Sequence, residues 1–144
     1  MLLGEYTHTL DDKNRLTLPT KFKSELGKKI VVTRGLDSSL FVYSQQEWKK
    51  ITEKLAGLSM ADANSRGFSR FFLAGATEAE LDKAGRVVVP EHLKQFAKLS
   101  REVVLTGVQS RVELWDAKLW KSYSKKMEQN GDMMASKLGE IGVL

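Results

Sequence analysis

Apolar and polar positions alternate from Glu5 to Leu10 and again from Thr77 to Leu81, the period of two expected of half-buried strands. A charged block interrupts each run: Asp11-Asp12-Lys13-Asn14-Arg15 in the first, Asp82-Lys83-Ala84-Gly85-Arg86 in the second. A second strand leaves each block. Arg15–Leu18 alternates cleanly, whereas Arg86–Val89 is more continuously apolar and is expected to be more buried. Pro19 and Pro90 end these strands and suit the first turn of short helices over Thr20–Leu26 and Glu91–Ala97, where a missing N–H is harmless. β-Branched runs around turns at Gly35–Ser39 and Gly107–Arg111 predict a further hairpin in each half. Amphipathic helices over Gln45–Leu58 and Ala117–Glu128 follow.

The chain is therefore written twice. At an offset of 71 or 72 residues, "GEYTHTLDDKNRLTLPTKF" lies over "GATEAELDKAGRVVVPEHL". Gly4 meets Gly75, Asp11 meets Asp82, Arg15 meets Arg86 and Pro19 meets Pro90. After a one-residue slip "IVVTRG" (Ile30–Gly35) lies over "EVVLTG" (Glu102–Gly107), and "SLFVYSQQEW" over "RVELWDAKLW", ending on Trp48 and Trp120. The expected organisation is a first half over 1–58, a bridge over 59–74, a second half over 75–128 and a tail over 129–144. The two halves form one compact unit. The bridge reads as a helix because Phe68, Phe71 and Phe72 fall at i, i+3 and i+4, with Arg66 and Arg70 beside them. The tail after Asn130-Gly131, rich in Met and Gly, is expected to fray.

Composition narrows the chemistry. At 144 residues, 42% apolar and 28% charged, the chain suits one globular unit. It has no cysteine, so no disulfide framework or thiolate metal site, which fits a reducing cytoplasm. "MLLGEYTHTL" has neither a basic segment nor a sustained apolar run, so no signal peptide and no membrane span are expected. The net charge of +5 sits mostly in the first half. No Walker, G-x-S-x-G or G-x-G-x-x-G string occurs, and the two histidines, His8 and His92, lack metal-spaced partners. These features argue against an enzyme, a cofactor and a small-molecule substrate.

The charged blocks carry the remaining chemistry. Asp at the first turn position accepts backbone N–H bonds from residues further on. The fourth position, Asn14 or Gly85, is where a left-handed backbone falls. Both blocks thus predict a tight hairpin turn, with a bulge that aims the next residue, Arg15 or Arg86, away from the sheet. The arginines could pair back to Asp11 and Asp82 and merely brace the turn, an interaction of about 0–1 kcal/mol. Alternatively, the aspartate orients a guanidinium whose other donors remain free for phosphate oxygens or the guanine edge. The first block also places Lys13, Arg15 and Thr17 together, with Lys21 and Lys23 just beyond.

Two "DxxxR" blocks about seventy residues apart, "LPTKF" after the first, the "FSRFFLAGA" bridge and "VELW" near the end together resemble the MraZ family of bacterial transcriptional regulators. The resemblance spans about residues 1–125 and implies an α+β fold. Its centre is a double-psi or swapped-hairpin β-barrel of the AbrB type, built from two pseudo-repeated halves with flanking helices. It implies a cytoplasmic, nucleoid-associated homo-oligomeric ring, octameric or larger, that binds short direct DNA repeats ahead of a cell-division and cell-wall gene cluster. On this resemblance Lys13, Arg15, Thr17, Lys21, Lys23, Lys83 and Arg86 are the DNA-binding candidates. Asp11, Asn14, Asp82 and Gly85 support the turns. Asn14 stands where the family has glycine. Ala84 and Val88 replace Lys13 and Thr17 in the second copy, which makes the first hairpin the expected main contact and leaves Arg86 open to a subunit-interface role. The rival reading is a scaffolding ring whose Asp–Arg knots are interface salt bridges. Trp48, Trp115 and Trp120 read as packing anchors, and "KKIVV" as a strand start guarded by charge. Trp120, Tyr123 and Met127 mark a helix that docks on its own or a neighbouring subunit.

Overall fold

The computed structural model describes every residue from Met1 to Leu144. The first copy runs β1 (Leu2–Thr9), β2 (Arg15–Thr17), α1 (Thr20–Leu26), β3 (Lys29–Arg34), β4 (Leu40–Ser44) and α2 (Gln45–Ala56). The bridge contains α3 (Ala63–Ala74). The second copy runs β5 (Thr77–Glu80), β6 (Arg86–Val88), α4 (Glu91–Phe96), β7 (Glu102–Gln109), β8 (Val112–Asp116) and α5 (Ala117–Glu140).

The strand pairing obeys a pseudo-two-fold symmetry. The six-stranded sheet has the order β1-β7-β8-β4-β3-β5, all neighbours antiparallel, and exchanging the two copies leaves that order unchanged. A separate two-stranded ribbon pairs β2 with β6. Each copy's lead-in strand therefore pairs with the other copy: β1 with β7, β5 with β3. The strands on either side of each charged turn are not laddered to one another, so the expected local hairpins are not formed. Only the turn itself closes locally, through the Asp11 N–H to the Arg15 carbonyl (3.1 Å) and the Asp82 N–H to the Arg86 carbonyl (2.9 Å).

The core lies between the inner face of the sheet and the inner face of the ribbon. Leu16 and Val87 point inward from the ribbon, and Phe22 and Leu93 are driven in from α1 and α4, both fully buried. Burial of each such side chain contributes roughly 1.5–3 kcal/mol. A smaller cluster of Phe41, Tyr43 and Phe72 lies on the outer sheet face beneath α2 and α3, with Trp48 stacked on Phe72 at 5.3 Å. The two long helices start alike: the Ser44 hydroxyl accepts from the Glu47 N–H, and the Asp116 carboxylate from the Leu119 N–H.

Three further expectations are corrected. Glu80 faces Lys29 and Thr9 faces Glu102, so Ile30 corresponds to Val103 and not to Glu102. A slip of one residue would turn every side chain to the opposite face, and the burial of Ile30 and Val103 fixes the register. Second, β6 is no more buried than β2: Val88 is 56% exposed, and both strands alternate in the same way. Third, the helix predicted to stop near Glu128 runs on to Glu140. Gly131 inside it costs about 1 kcal/mol relative to alanine, too little to break a run otherwise made largely of good helix formers. The helix ends at Gly142 (φ 78°), where the Val143 N–H reaches the Leu138 carbonyl and the Gly142 N–H the Gly139 carbonyl.

Candidate nucleic-acid interface

Each charged turn is organised by one carboxylate. Asp11 Oδ1 accepts the backbone N–H groups of Lys13 (2.9 Å) and Arg15 (2.8 Å), and Oδ2 accepts Arg15 Nε–H (2.6 Å). Asp82 repeats this with the N–H groups of Ala84 and Arg86 (both 2.9 Å) and Arg86 Nε–H (2.8 Å). These donors hold both carboxyls below the ordinary carboxylate range, the bond from the arginine backbone N–H being the largest cause in each. Asn14 (φ 58°) and Gly85 (φ 76°) close the turns in the left-handed region.

The bracing interaction is therefore real, yet it consumes only one guanidinium donor. Nε is the sole nitrogen of the Arg15 or Arg86 side chain bonded within the chain, leaving both terminal amino groups of each fork free. The side chains are 31% and 36% exposed.

The ribbon brings the two arginines together. Arg15 faces Val88 and Thr17 faces Arg86 across the β2–β6 pair, while Leu16 and Val87 point into the core. Directly opposed residues share a face. Arg15, Thr17, Arg86 and Val88 thus form one continuous outward surface, not two separate loop tips. Val88 belongs to it, although in the sequence it stands out only as a departure from Thr17.

The lysines divide. Lys13 and Lys83 are exposed on the first and second turns. Lys21 is exposed on α1, and its ammonium bonds to neither turn. Lys23 crosses to the opposite turn: a Cβ on Gly85 would stand 2.6 Å from its Nζ. The symmetric position shows the same crossing. Lys94 Nζ donates to Asn14 Oδ1 (3.0 Å), and Asn14 Nδ2 donates to Glu91 Oε2 (2.9 Å). Glu91 and Lys94 thus anchor the first turn to α4. No local sequence signal marks that contact, which joins residues of different copies.

His8 is half-buried, and His92 Nε2 lies 3.2 Å from the Gly75 carbonyl. No group of three or more His, Cys, Asp or Glu side chains is placed to hold a metal, and no helix is long and apolar enough to cross a membrane.

Comparison with known proteins agrees with the internal symmetry. The family model described as "MraZ protein, putative antitoxin-like" matches twice, over residues 1–71 and 72–137. The chain belongs to the MraZ family. The protein called transcriptional regulator MraZ in Caldanaerobacter subterraneus subsp. tengcongensis is 47% identical over 143 residues, covering 99% of this chain and 100% of the relative. That of Halothermothrix orenii is 46% identical with the same coverage. That of Carboxydothermus hydrogenoformans is 47% identical over 138 residues, 96% of each chain. The MraZ family is one of transcriptional regulators, not enzymes.

Proposed function

We propose that this transcriptional regulator reads double-stranded DNA through the outward face of the β2–β6 ribbon. The observation that carries the proposal is the pair of arginines on that face, each held by Asp through Nε with its terminal donors unspent. The major groove admits a two-stranded β-ribbon, and an arginine fork matches guanine O6 and N7 or phosphate oxygens. Thr17 adds a hydroxyl, and Val88 offers an apolar contact for a thymine methyl. Lys13, Lys83 and the crossing Lys23 supply phosphate charge, which positions the ribbon without specifying sequence. Lys21 is the most peripheral contributor.

One ribbon spans few base pairs. We therefore infer that the chain acts as a ring-like homo-oligomer whose subunits engage successive short direct repeats, gaining affinity through effective concentration. The operator is expected ahead of a cell-division and cell-wall gene cluster, which places the protein in the cytoplasm on the nucleoid. The two halves are read as one swapped-hairpin barrel, supported by the cross-copy pairing of β1, β2, β5 and β6. The scaffold reading loses its main support because Asp11 and Asp82 each spend three bonds inside their own turn.

A gel-shift with the chain's own upstream DNA, intact or with the repeats scrambled, tests the reading. Preferred binding to the intact repeats, weakened at least about tenfold in Arg15→Ala while the assembly persists, is expected. Equal binding to both DNAs would reduce the function to unspecific polyanion binding.

A further inference from the structure

The two copies differ most on the outer face of the sheet. In the first, Thr33 on β3 is fully buried and its hydroxyl donates to the Phe72 carbonyl at 2.5 Å, in the last turn of α3. Arg34 Nη1 donates to the neighbouring Phe71 carbonyl at 3.1 Å, and the Phe72 ring stacks on Trp48. β3 and α2 thus grip the end of a helix by its spare carbonyls and one apolar side chain.

The register makes Thr106 the counterpart of Thr33 and Trp120 that of Trp48. Here no segment of the chain bonds to the threonine hydroxyl. Thr106 is 5% exposed, and its Oγ1 is the one buried side-chain polar atom in the chain with no hydrogen-bond partner. Thr106 lines a groove of about 350 Å³ with Glu5, Val108, Trp120 and Tyr123. Leu3 (49% exposed) and Val108 (41%) face each other across the β1–β7 pair and extend the apolar surface. Native structures seldom leave a buried hydroxyl unpaired, because its desolvation is then uncompensated.

We infer that this groove receives the C-terminal end of α5 from a second copy of the chain. That end offers what the groove lacks. The carbonyls of Glu140 and Ile141 accept no bond within the chain, and Leu138, Ile141, Val143 and Leu144 are exposed. The Gly142 cap fixes the shape of this end before it docks. The same chain cannot fill its own groove. Trp120 and Tyr123 lie at the start of α5, and at 1.5 Å per residue its far end is about 25 Å away. Groove and helix end are different surfaces, so the contact is head-to-tail; such contacts close into rings when the rotation permits. The inference rests on the self-association proposed above and supplies its contact. It does not involve the ribbon.

The test is sedimentation velocity without DNA, on wild type, Val108→Asp and the double variant Leu138→Asp/Ile141→Asp. All three substitutions lie at exposed positions, so circular dichroism should show unchanged folds. Each variant alone is expected to be monomeric. Mixed, they should form one-to-one dimers and nothing larger, since one intact groove meets one intact helix end. Thr106→Val should weaken wild-type assembly about fivefold or more through loss of the hydroxyl's bond. Either charged variant assembling like wild type, a mixture that stays monomeric, or tighter assembly by Thr106→Val would overturn the inference. A monomeric wild type would overturn the ring reading as well, whereas assembly without operator binding would sink only the DNA reading.

Discussion

Arg86 stands directly opposite Thr17 across the β2–β6 ribbon, so an arginine of the second copy and a threonine of the first share one outward face. The register also places Arg15 on that face, opposite Val88. Sequence alone favoured the first block, because Lys13 and Thr17 have no polar counterparts in the second. If that face meets DNA as proposed, the two arginines should contribute nearly equally. Arg15→Ala and Arg86→Ala are each expected to weaken operator binding about 10- to 100-fold, equivalent to about 1–3 kcal/mol for a lost bidentate contact. Lysine at either position should restore little, since an ammonium lacks the fork. Fluorescence anisotropy with repeat DNA measures this, and an Arg86→Ala variant that binds like wild type would confine the contact to the first copy.

Salt should act more steeply on the assembly than on any one subunit. A subunit that neutralises two phosphates contributes a slope of about −1.8 in log affinity against log salt, and several engaged subunits multiply it. Lys13 is exposed and enters no ion pair. Lys13→Ala should reduce the slope while lowering binding to intact and scrambled repeats alike. A loss confined to the intact repeats would instead make Lys13 a base reader.

The turn carboxylates give the fold a sensitivity to acid. Bonds from the arginine backbone N–H, the arginine guanidinium and the residue two positions on favour the ionised forms of Asp11 and Asp82, lowering both pKa values in the folded chain. Their stabilising effect is complete above the unfolded carboxylate pKa and is lost as pH falls through the lower folded values. Carbon-13 titration of the two carboxyls should place both midpoints below those of unperturbed aspartates. In Asp11→Asn/Asp82→Asn the acid limb of the stability curve should flatten. Midpoints at the ordinary carboxylate value would mean that the turns are open in solution.

Asn14 and Gly85 hold one backbone shape by different means. Gly85 at φ 76° has no Cβ strain, and Lys23 lies against it. Asn14 at φ 58° accepts some strain but ties Glu91 and Lys94 of α4 to the first turn. Gly85→Ala should destabilise by about 1 kcal/mol, from the left-handed backbone and the displaced Lys23 ammonium. Asn14→Gly relieves strain while releasing both side-chain bonds, so denaturant unfolding should move by less than about 1 kcal/mol. A large loss for Asn14→Gly would show that the bridge to α4 outweighs backbone strain.

The duplication, the strand and helix order and the Asp-first, left-handed-fourth turn were legible because each rests on local chemistry: period-two runs, Pro19 and Pro90, Asp11 and Asp82. What was not legible is non-local. Nothing near Arg15 shows that its strand pairs with β6, so the single ribbon face and the role of Val88 stayed hidden. The contacts of Asn14 with Glu91 and Lys94 also cross between copies. The β3–β7 offset differs by one from the sequence alignment because Ile30-Val31-Val32 and Val103-Val104-Leu105 are apolar on both faces, which erases the alternation that sets register. The end of α5 was misplaced because Gly131 looks like a stop signal, while Gly142, the true cap, lies further on.

Thr33 and Thr106 should answer the same substitution with opposite signs. Thr33→Val removes the bond to the Phe72 carbonyl and leaves that buried acceptor unpaired, which costs about 1–3 kcal/mol. Thr106 has no partner within the chain, so in a monomeric background such as Leu138→Asp/Ile141→Asp its replacement removes only an uncompensated hydroxyl. Thr106→Val there should be neutral or stabilising, because an apolar isostere has nothing to desolvate. Urea unfolding of the two variants in that background provides the comparison. Equal destabilisation would mean that the Thr106 hydroxyl finds a partner inside the folded monomer, as Thr33 does on the other half of the sheet.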